Sequence, residues 1–159
     1  MSDAAEQPKQ EQQKQFSIQK IYTRNLSFES PNAPEIFTQQ IQPQLEIDLN
    51  VESRTLEDNV YHVVLRVTAT TKMEDKTAFL CEVEQAGVFT IIGFDEGETS
   101  YLLGAQAPNT LFPFAREAIS SLVTKGGFQP LLLEPVNFEA MYQQHLEQQQ
   151  VEAQQATQQ

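Results

Sequence analysis

From Phe16 to Ile92 apolar and polar residues alternate in four successive runs, the signature of strands with one buried face and one wet one. The second run alternates most cleanly, Ile41, Leu45, Ile47, Leu49 and Val51 interleaving with Gln42, Gln44, Glu46, Asp48, Asn50 and Glu52. In the first, Phe16, Ile18, Tyr22, Leu26 and Phe28 hold the even positions, with a local break at Lys20 and Ile21. The third sets Tyr61, Val63, Leu65, Val67 and Ala69 against His62, Arg66, Thr68, Thr70 and Lys72. The fourth turns Phe79, Cys81, Val83, Phe89 and Ile91 inward and Leu80, Glu82 and Glu84 outward. Glu57-Asp58-Asn59 and Glu74-Asp75-Lys76 are short polar breaks suited to hairpins.

Beyond the acidic turn Asp95 to Glu98 the period changes. Leu111, Phe114, Ala115, Ala118, Ile119, Leu122 and Val123 form one broad stripe on an α-helix. Thr110 is the expected N-cap, which puts Pro113 at the third helical position, and Gly126-Gly127 stops the helix. Tyr101, Leu102, Leu103 and Ala105 suit an earlier helical segment kinked at Pro108. A last helix starts at Asn137, with Phe138, Met141, Tyr142 and His145 or Leu146 along one side. Strands followed by helices predict an α+β domain: a four-stranded antiparallel sheet with a long helix and a C-terminal helix packed on one face. The helices carry more apolar surface than one sheet face needs, Phe112 lying off the main stripe, so an oligomer is expected.

A chain of 159 residues suits one domain. Residues 1–15 and 150–159 are rich in Gln, Glu, Ala and Lys and lack aromatics, so they are expected to be disordered tails around a domain at 16–149. Ten Lys plus Arg against 22 Asp plus Glu give a net charge of -12, which repels nucleic acid and favours a basic partner surface. Cys81 is the lone cysteine, so no intrachain disulfide or cysteine zinc site is available and a reducing compartment fits. The first residues lack a signal-peptide pattern and no run approaches ~18 apolar residues, so a cytoplasmic protein without direct membrane insertion is expected.

The catalytic inventory is thin. Cys81 takes an inward strand position, His62 and His145 lie far apart in sequence, and the six glycines build no phosphate loop. His145 with Glu147 lacks metal-ligand spacing, and outward Glu82 and Glu84 sit in water, where acid-base tuning is poor. No enzyme activity, metal or cofactor is expected; a binding protein is. Within "ESPNAPEIF", Pro31 and Pro34 forbid ladder hydrogen bonds and hold a stiff extended path, a crossover to a non-adjacent sheet position. Ile36 and Phe37 then either plug the core edge or line a groove beside it.

The stretches "IYTRNLSFESPNAP", "VYHVVLRVT", "TAFLCEVEQAG", "PNTLFPFAREAISSLVTKGGF" and "LEPVNFEAMY" closely resemble the SecB family of bacterial protein-export chaperones, over about Phe16 to Leu146. The resemblance implies a homotetramer, a dimer of dimers with helices between antiparallel sheets. It implies an ATP-independent holdase that keeps unfolded precursor proteins in hydrophobic grooves and hands them to the translocation motor SecA. On that reading Phe37 becomes a groove wall, with Tyr22, Phe28, Leu45, Phe138 and Tyr142 as further groove candidates. The positions matching the family's SecA-docking face are Asn25, Glu29, Leu80 and Glu82, all outward by alternation. Asn25 departs from the Asp usual there, so one negative charge is missing and the affinity for SecA's basic, zinc-bearing tail is expected either to be lower or to be compensated by Glu84. Cys81, Val83 and Gln85 face the helices and a partner subunit and are assigned to packing. Two other readings are a SecB-like chaperone dedicated to an antitoxin, and a small-ligand carrier or enzyme using the groove as its pocket.

Overall fold

The computed structural model describes residues 13–40 and 42–158, so Ile41, Gln159 and residues 1–12 of the expected N-terminal tail lie outside the described residues. Strands β1 (Gln15–Glu29), β2 (Gln44–Glu57), β3 (Val60–Met73) and β4 (Lys76–Ile92) form one antiparallel sheet in the order β1-β4-β3-β2. Two-residue turns at Asp58-Asn59 and Glu74-Asp75 join β2, β3 and β4 into a meander; Asn59 (φ 65°) and Glu74 (φ 56°) take the left-handed conformation there. The two outermost strands are therefore β1 and β2.

The proline segment between them is bent where an extended path was expected: a turn leads into a 3-10 helix, Glu35–Thr38. Two side chains fix its start on β4. Ser30 Oγ donates to the Ala78 carbonyl (2.8 Å) and Asn32 Nδ2 to that of Thr77 (2.9 Å). Ile36 then drops into a small core with Met73 and Ala78 and is 2 % exposed.

The phase of β1 also differs from simple alternation. Its register against β4 jumps at Gln19 and again at Arg24, each an extra residue that swaps the faces. Between the two bulges Ile21 and Thr23 turn inward beside Gly87 and Gln85, while Lys20 and Tyr22 turn outward beside Val88 and Ala86. Tyr22 is thus on the opposite face from Phe28, and the expectation that the two share a groove is corrected.

Helix α1 (Glu96–Tyr101) continues through a widened π-turn (Leu102–Gln106) into α2 (Ala107–Lys125). Asp95 caps the run, its carboxylate accepting from the Glu98 N–H at 2.7 Å. Thr110, expected as the N-cap, is interior and its hydroxyl donates to the Gln106 carbonyl (2.9 Å). The reason lies upstream: the Ala107 N–H bonds back five residues to Leu102, a wider turn that accommodates Pro108, which has no N–H to offer. Across β4 and β3, α2 buries Leu111, Ala115, Ile119 and Val123 against Val63, Leu65, Val67, Val83 and Phe89. The stripe is rotated from the expected one: Phe112 is 4 % exposed and Phe114 is 49 % exposed.

Helix α3 (Phe138–Thr157) begins as expected, with Asn137 Oδ1 accepting from the Ala140 N–H at 3.0 Å. It runs on into the 150–159 segment that composition assigned to a disordered tail, because Gln, Glu and Ala are good helix formers even without a face to bury. The helices roof only the central strands. Ile18 (48 % exposed) and Leu26 (47 %) on β1, and Leu45 (44 %) and Ile47 (41 %) on β2, share the inner face yet stay open to solvent.

Candidate binding groove and outer sheet face

An aromatic cluster closes one end of the inner face. Phe28 stacks on Phe79 with centroids 5.9 Å apart, and Phe128 meets Phe79 (4.9 Å), Phe37 (5.2 Å) and Phe28 (6.4 Å). The end of α2 aims Phe128 there. The Gly127 N–H bonds the Thr124 carbonyl (3.1 Å) and the Phe128 N–H that of Val123 (3.2 Å), a Schellman closure that needs the positive φ of Gly127, +90°. Gly126 lies directly under Phe28, since a Cβ there would collide with its ring. Of the two loop residues left open by the sequence, Ile36 plugs the core, while Phe37 leans on Phe128 and remains 48 % exposed.

Further along, an open cavity of about 830 Å³ lies between the sheet and the helices, lined by Leu49, Val51, Tyr61, Leu103, Met141 and Tyr142 among others. Tyr142 is tightly placed. Its hydroxyl donates to Ser100 Oγ (2.9 Å), Tyr101 packs edge-on at 5.8 Å, and a Cβ on Gly104 would meet its ring at 2.5 Å. The Tyr101 hydroxyl in turn donates to the Glu139 carboxylate, tying α3 to α1. Phe138 is 3 % exposed and packs edge-on against Phe112, so it is the back wall of the cavity.

The inner side of β2 joins the two places. Leu45, Ile47, Leu49 and Val51 pair with Thr71, Ala69, Val67 and Leu65, and Thr71 in turn pairs with Phe79 of the aromatic cluster. From Leu45 to Val51 this apolar strip runs roughly 20 Å at ~3.3 Å per residue. Phe28, Phe37, Leu45, Phe138 and Tyr142 therefore border one continuous inner surface; Tyr22 does not. Sequence reasoning missed Phe128, Ile47 and Met141. Phe128 carried a signal, because an apolar residue right after a Gly-Gly helix stop commonly folds back on the helix.

The outer face is polar and ordered in transverse rows: Glu29–Leu80–Thr70–Glu46, then Ser27–Glu82–Thr68–Asp48, then Asn25–Glu84–Arg66–Asn50. Asn25, Glu29, Leu80 and Glu82 thus share this face. Thr68 Oγ1 donates to Glu82 at 3.2 Å. Glu84 is not a solvated acid as its outward position suggested. It is 8 % exposed, with Arg66 Nη2 at 2.8 Å and Arg24 Nε at 3.4 Å. Its charge is already neutralised, so it is a poor substitute for the carboxylate that Asn25 lacks. Beneath, Cys81, Val83 and Gln85 are buried, and Gln85 bridges to β1 by donating to the Tyr22 carbonyl (3.1 Å) and accepting from Thr23 Oγ1 (3.2 Å). Burial pushes the Cys81 thiol up to about 11, which keeps it protonated and unreactive at neutral pH. Among the described residues no three His, Cys, Asp or Glu side chains gather to hold a metal, and no helix is long and apolar enough to cross a membrane.

A family model described as preprotein translocase subunit SecB matches residues 9–149. The chain belongs to the SecB family. It is 75 % identical over 138 residues to the protein-export protein SecB of Hydrogenovibrio crunogenus, covering 87 % of this chain and 93 % of that one. To the protein of the same name from Methylococcus capsulatus it is 49 % identical over 157 residues, 99 % of each chain. A solved SecB-like chaperone of Mycobacterium tuberculosis, in complex with a peptide from an antitoxin, superposes with a TM-score of 0.64 at 16 % identity, covering 76 % of this chain and 90 % of that one. That likeness supports the SecB fold: one antiparallel sheet with its helices on a single face.

Proposed function

We propose that this SecB-family chain is an ATP-independent cytoplasmic holdase that keeps unfolded precursor proteins competent for export and passes them to SecA. The observation that carries this reading is the inner face left open at its edges: Leu45 and Ile47 exposed beside an aromatic cluster at one end and an 830 Å³ cavity at the other. Extended client segments lie along the β2 strip, held by apolar contacts indifferent to sequence. Each contact is weak, but several grooves on one tetramer raise the effective concentration of the rest of a long client. Exposed Phe114 on α2 supports a helix-to-helix contact in that tetramer. The rows with Glu29, Glu82 and Leu80 receive SecA's basic, zinc-bearing tail, Asn25 lowering the charge available by one.

Native mass measurement with and without an unfolded precursor, beside SecA-tail binding to wild type and Glu82→Lys, tests both halves. A tetramer that takes up precursor and loses tail affinity on charge reversal is expected. A folded monomer that ignores unfolded chains removes the holdase reading, and unchanged tail binding removes the docking face. Capture of an antitoxin segment with no capture of precursors would reassign the groove to a dedicated client.

A further inference from the structure

Strand β1 stops at Glu29, opposite Leu80, so β4 runs from Phe79 back to Lys76 with no strand beside it on that side. β4 also carries an extra residue there, Ala78, between the pairs Thr71–Phe79 and Lys72–Thr77. Ser30 Oγ donates to the Ala78 carbonyl and Asn32 Nδ2 to that of Thr77, so two side chains prolong the ladder past the end of β1. Asn32 is held at both ends. While its side-chain amide grips β4, its own carbonyl accepts from the Ile36 N–H at 2.9 Å, the bond that closes the turn into the 3-10 helix. The next residue is Phe37, whose N–H bonds the Pro34 carbonyl at 3.1 Å. Its ring meets Phe128 at 5.2 Å and passes over Gly127, and nearly half of the residue is open to solvent.

We propose that Ser30 and Asn32 are positioning residues of the binding groove that act through Phe37: they fix the crossover to β4 so that the Phe37 ring stands as a ready-made wall at the aromatic end, and a client segment does not have to order it. The proposal rests on the reading of the inner face as a client groove. Ile36, buried with Met73 and Ala78, secures the loop at one point by apolar contact, which is non-directional. The two hydrogen bonds, at 2.8 and 2.9 Å, set the direction in which the loop leaves that point. A wall fixed in this way has lost its freedom on folding, so the client does not spend binding energy on it.

A thermodynamic cycle on client affinity tests this, with fluorescent carboxymethylated α-lactalbumin, which stays unfolded, as the probe. In the anchor variant Ser30→Ala/Asn32→Asp both donors are gone, and the new carboxylate oxygen faces the Thr77 carbonyl. The variant is expected to bind the probe about three- to tenfold more weakly than wild type under conditions where urea unfolding shows both fully folded. Phe37→Ala weakens binding as well, and the anchor substitutions added to Phe37→Ala change the affinity by less than about twofold. The chain has no tryptophan, so Phe37→Trp reports on the wall alone; the anchor substitutions should lower its fluorescence anisotropy and raise its quenching by acrylamide. Undiminished affinity of the anchor variant beside a weakened Phe37→Ala overturns the proposal. So does a loss of the same size in the Phe37→Ala background, or an unchanged anisotropy. Should Phe37→Ala itself bind the probe as wild type does, the groove reading fails at this wall and the positioning role falls with it.

Discussion

On the inner face of the sheet the exposed groups include the large apolar Ile18, Leu26, Leu45 and Ile47, whereas the outer face of the same two strands exposes Glu29, Asn25, Asp48 and Glu46. The two faces are separated by the thickness of a pleat and use different physics. Apolar contact on the inner face is non-directional and scales with area, so it accepts many sequences. Charges on the outer face select by sign and position and weaken with salt. On the proposed function, a chaperone that takes unfolded clients on one face and a basic tail on the other needs both, and alternation in a strand supplies both from the same residues' neighbours.

The comparison is broken most severely by truncating the sealed part of the inner face. Phe89 is 0 % exposed and stacks on Phe16 at 5.5 Å, so Phe89→Ala is expected to cost about 3–5 kcal/mol in urea unfolding. Leu80→Ala, on the outer face of the same strand and 38 % exposed, should cost no more than about 1 kcal/mol. Equal losses would mean that the outer face is itself buried. Next in size is Gly126→Ala, whose new Cβ must displace the Phe28 ring; about 1–3 kcal/mol is expected, with weaker client binding at the aromatic end. Gly97→Ala is the control, because the nearest atom there, Asp95 Oδ1, is 3.5 Å from the added Cβ.

Salt sharpens the contrast without any mutation. Between ~50 and ~300 mM salt, binding of a basic tail to the outer face should weaken about fivefold, while client binding to the inner face stays within about twofold. Fluorescence titrations of the two ligands on one preparation compare the slopes directly. A client affinity as salt-sensitive as the tail's would place clients on the charged face.

Most of the sheet was legible because its burial follows local pattern. Val60 to Met73 reads as a strand and is one to the residue, with Tyr61, Val63, Leu65, Val67 and Ala69 on the helix side as the alternation has them. The errors arise where a partner element decides. The bulges at Gln19 and Arg24 exist only in register with β4, and the polar Gln and Arg there look like ordinary alternating residues, so Tyr22 was placed on the wrong face. Thr110 resembled a cap because the π-turn that admits Pro108 leaves no trace in composition. Phe112 and Phe114 exchanged roles since the docking angle of α2, and the arrival of Phe138, choose which aromatic is covered. At the site, alternation gave the outward placing of Asn25, Glu29, Leu80 and Glu82, while a docking role for them came only from the family resemblance; the cavity under Tyr142 needed three elements brought together and had no linear signal.

The smallest expected effect belongs to His62 and bears on the outer face only. Its surroundings are unfavourable to a proton: burial first, then Arg54 from β2 and Arg24 from β1, with Lys20 in the same row and Glu52 as the acid in the next one. The folded state therefore holds the imidazole below its ordinary value of 6.5. Between the two values the unfolded chain binds more protons, so the free energy of unfolding rises with pH across that window. The contribution is fully present above 6.5 and declines as the pH falls from there through the folded value. Urea midpoints at pH 7.5 and 5.5 for wild type and His62→Gln isolate it, because the carboxylates common to both chains cancel in the difference. Wild type should lose more stability on acidification than the variant. An identical loss would mean that His62 accepts its proton without penalty, and that its row is open to water instead of being sealed by Tyr22, whose hydroxyl lies 2.7 Å from the His62 Nε2.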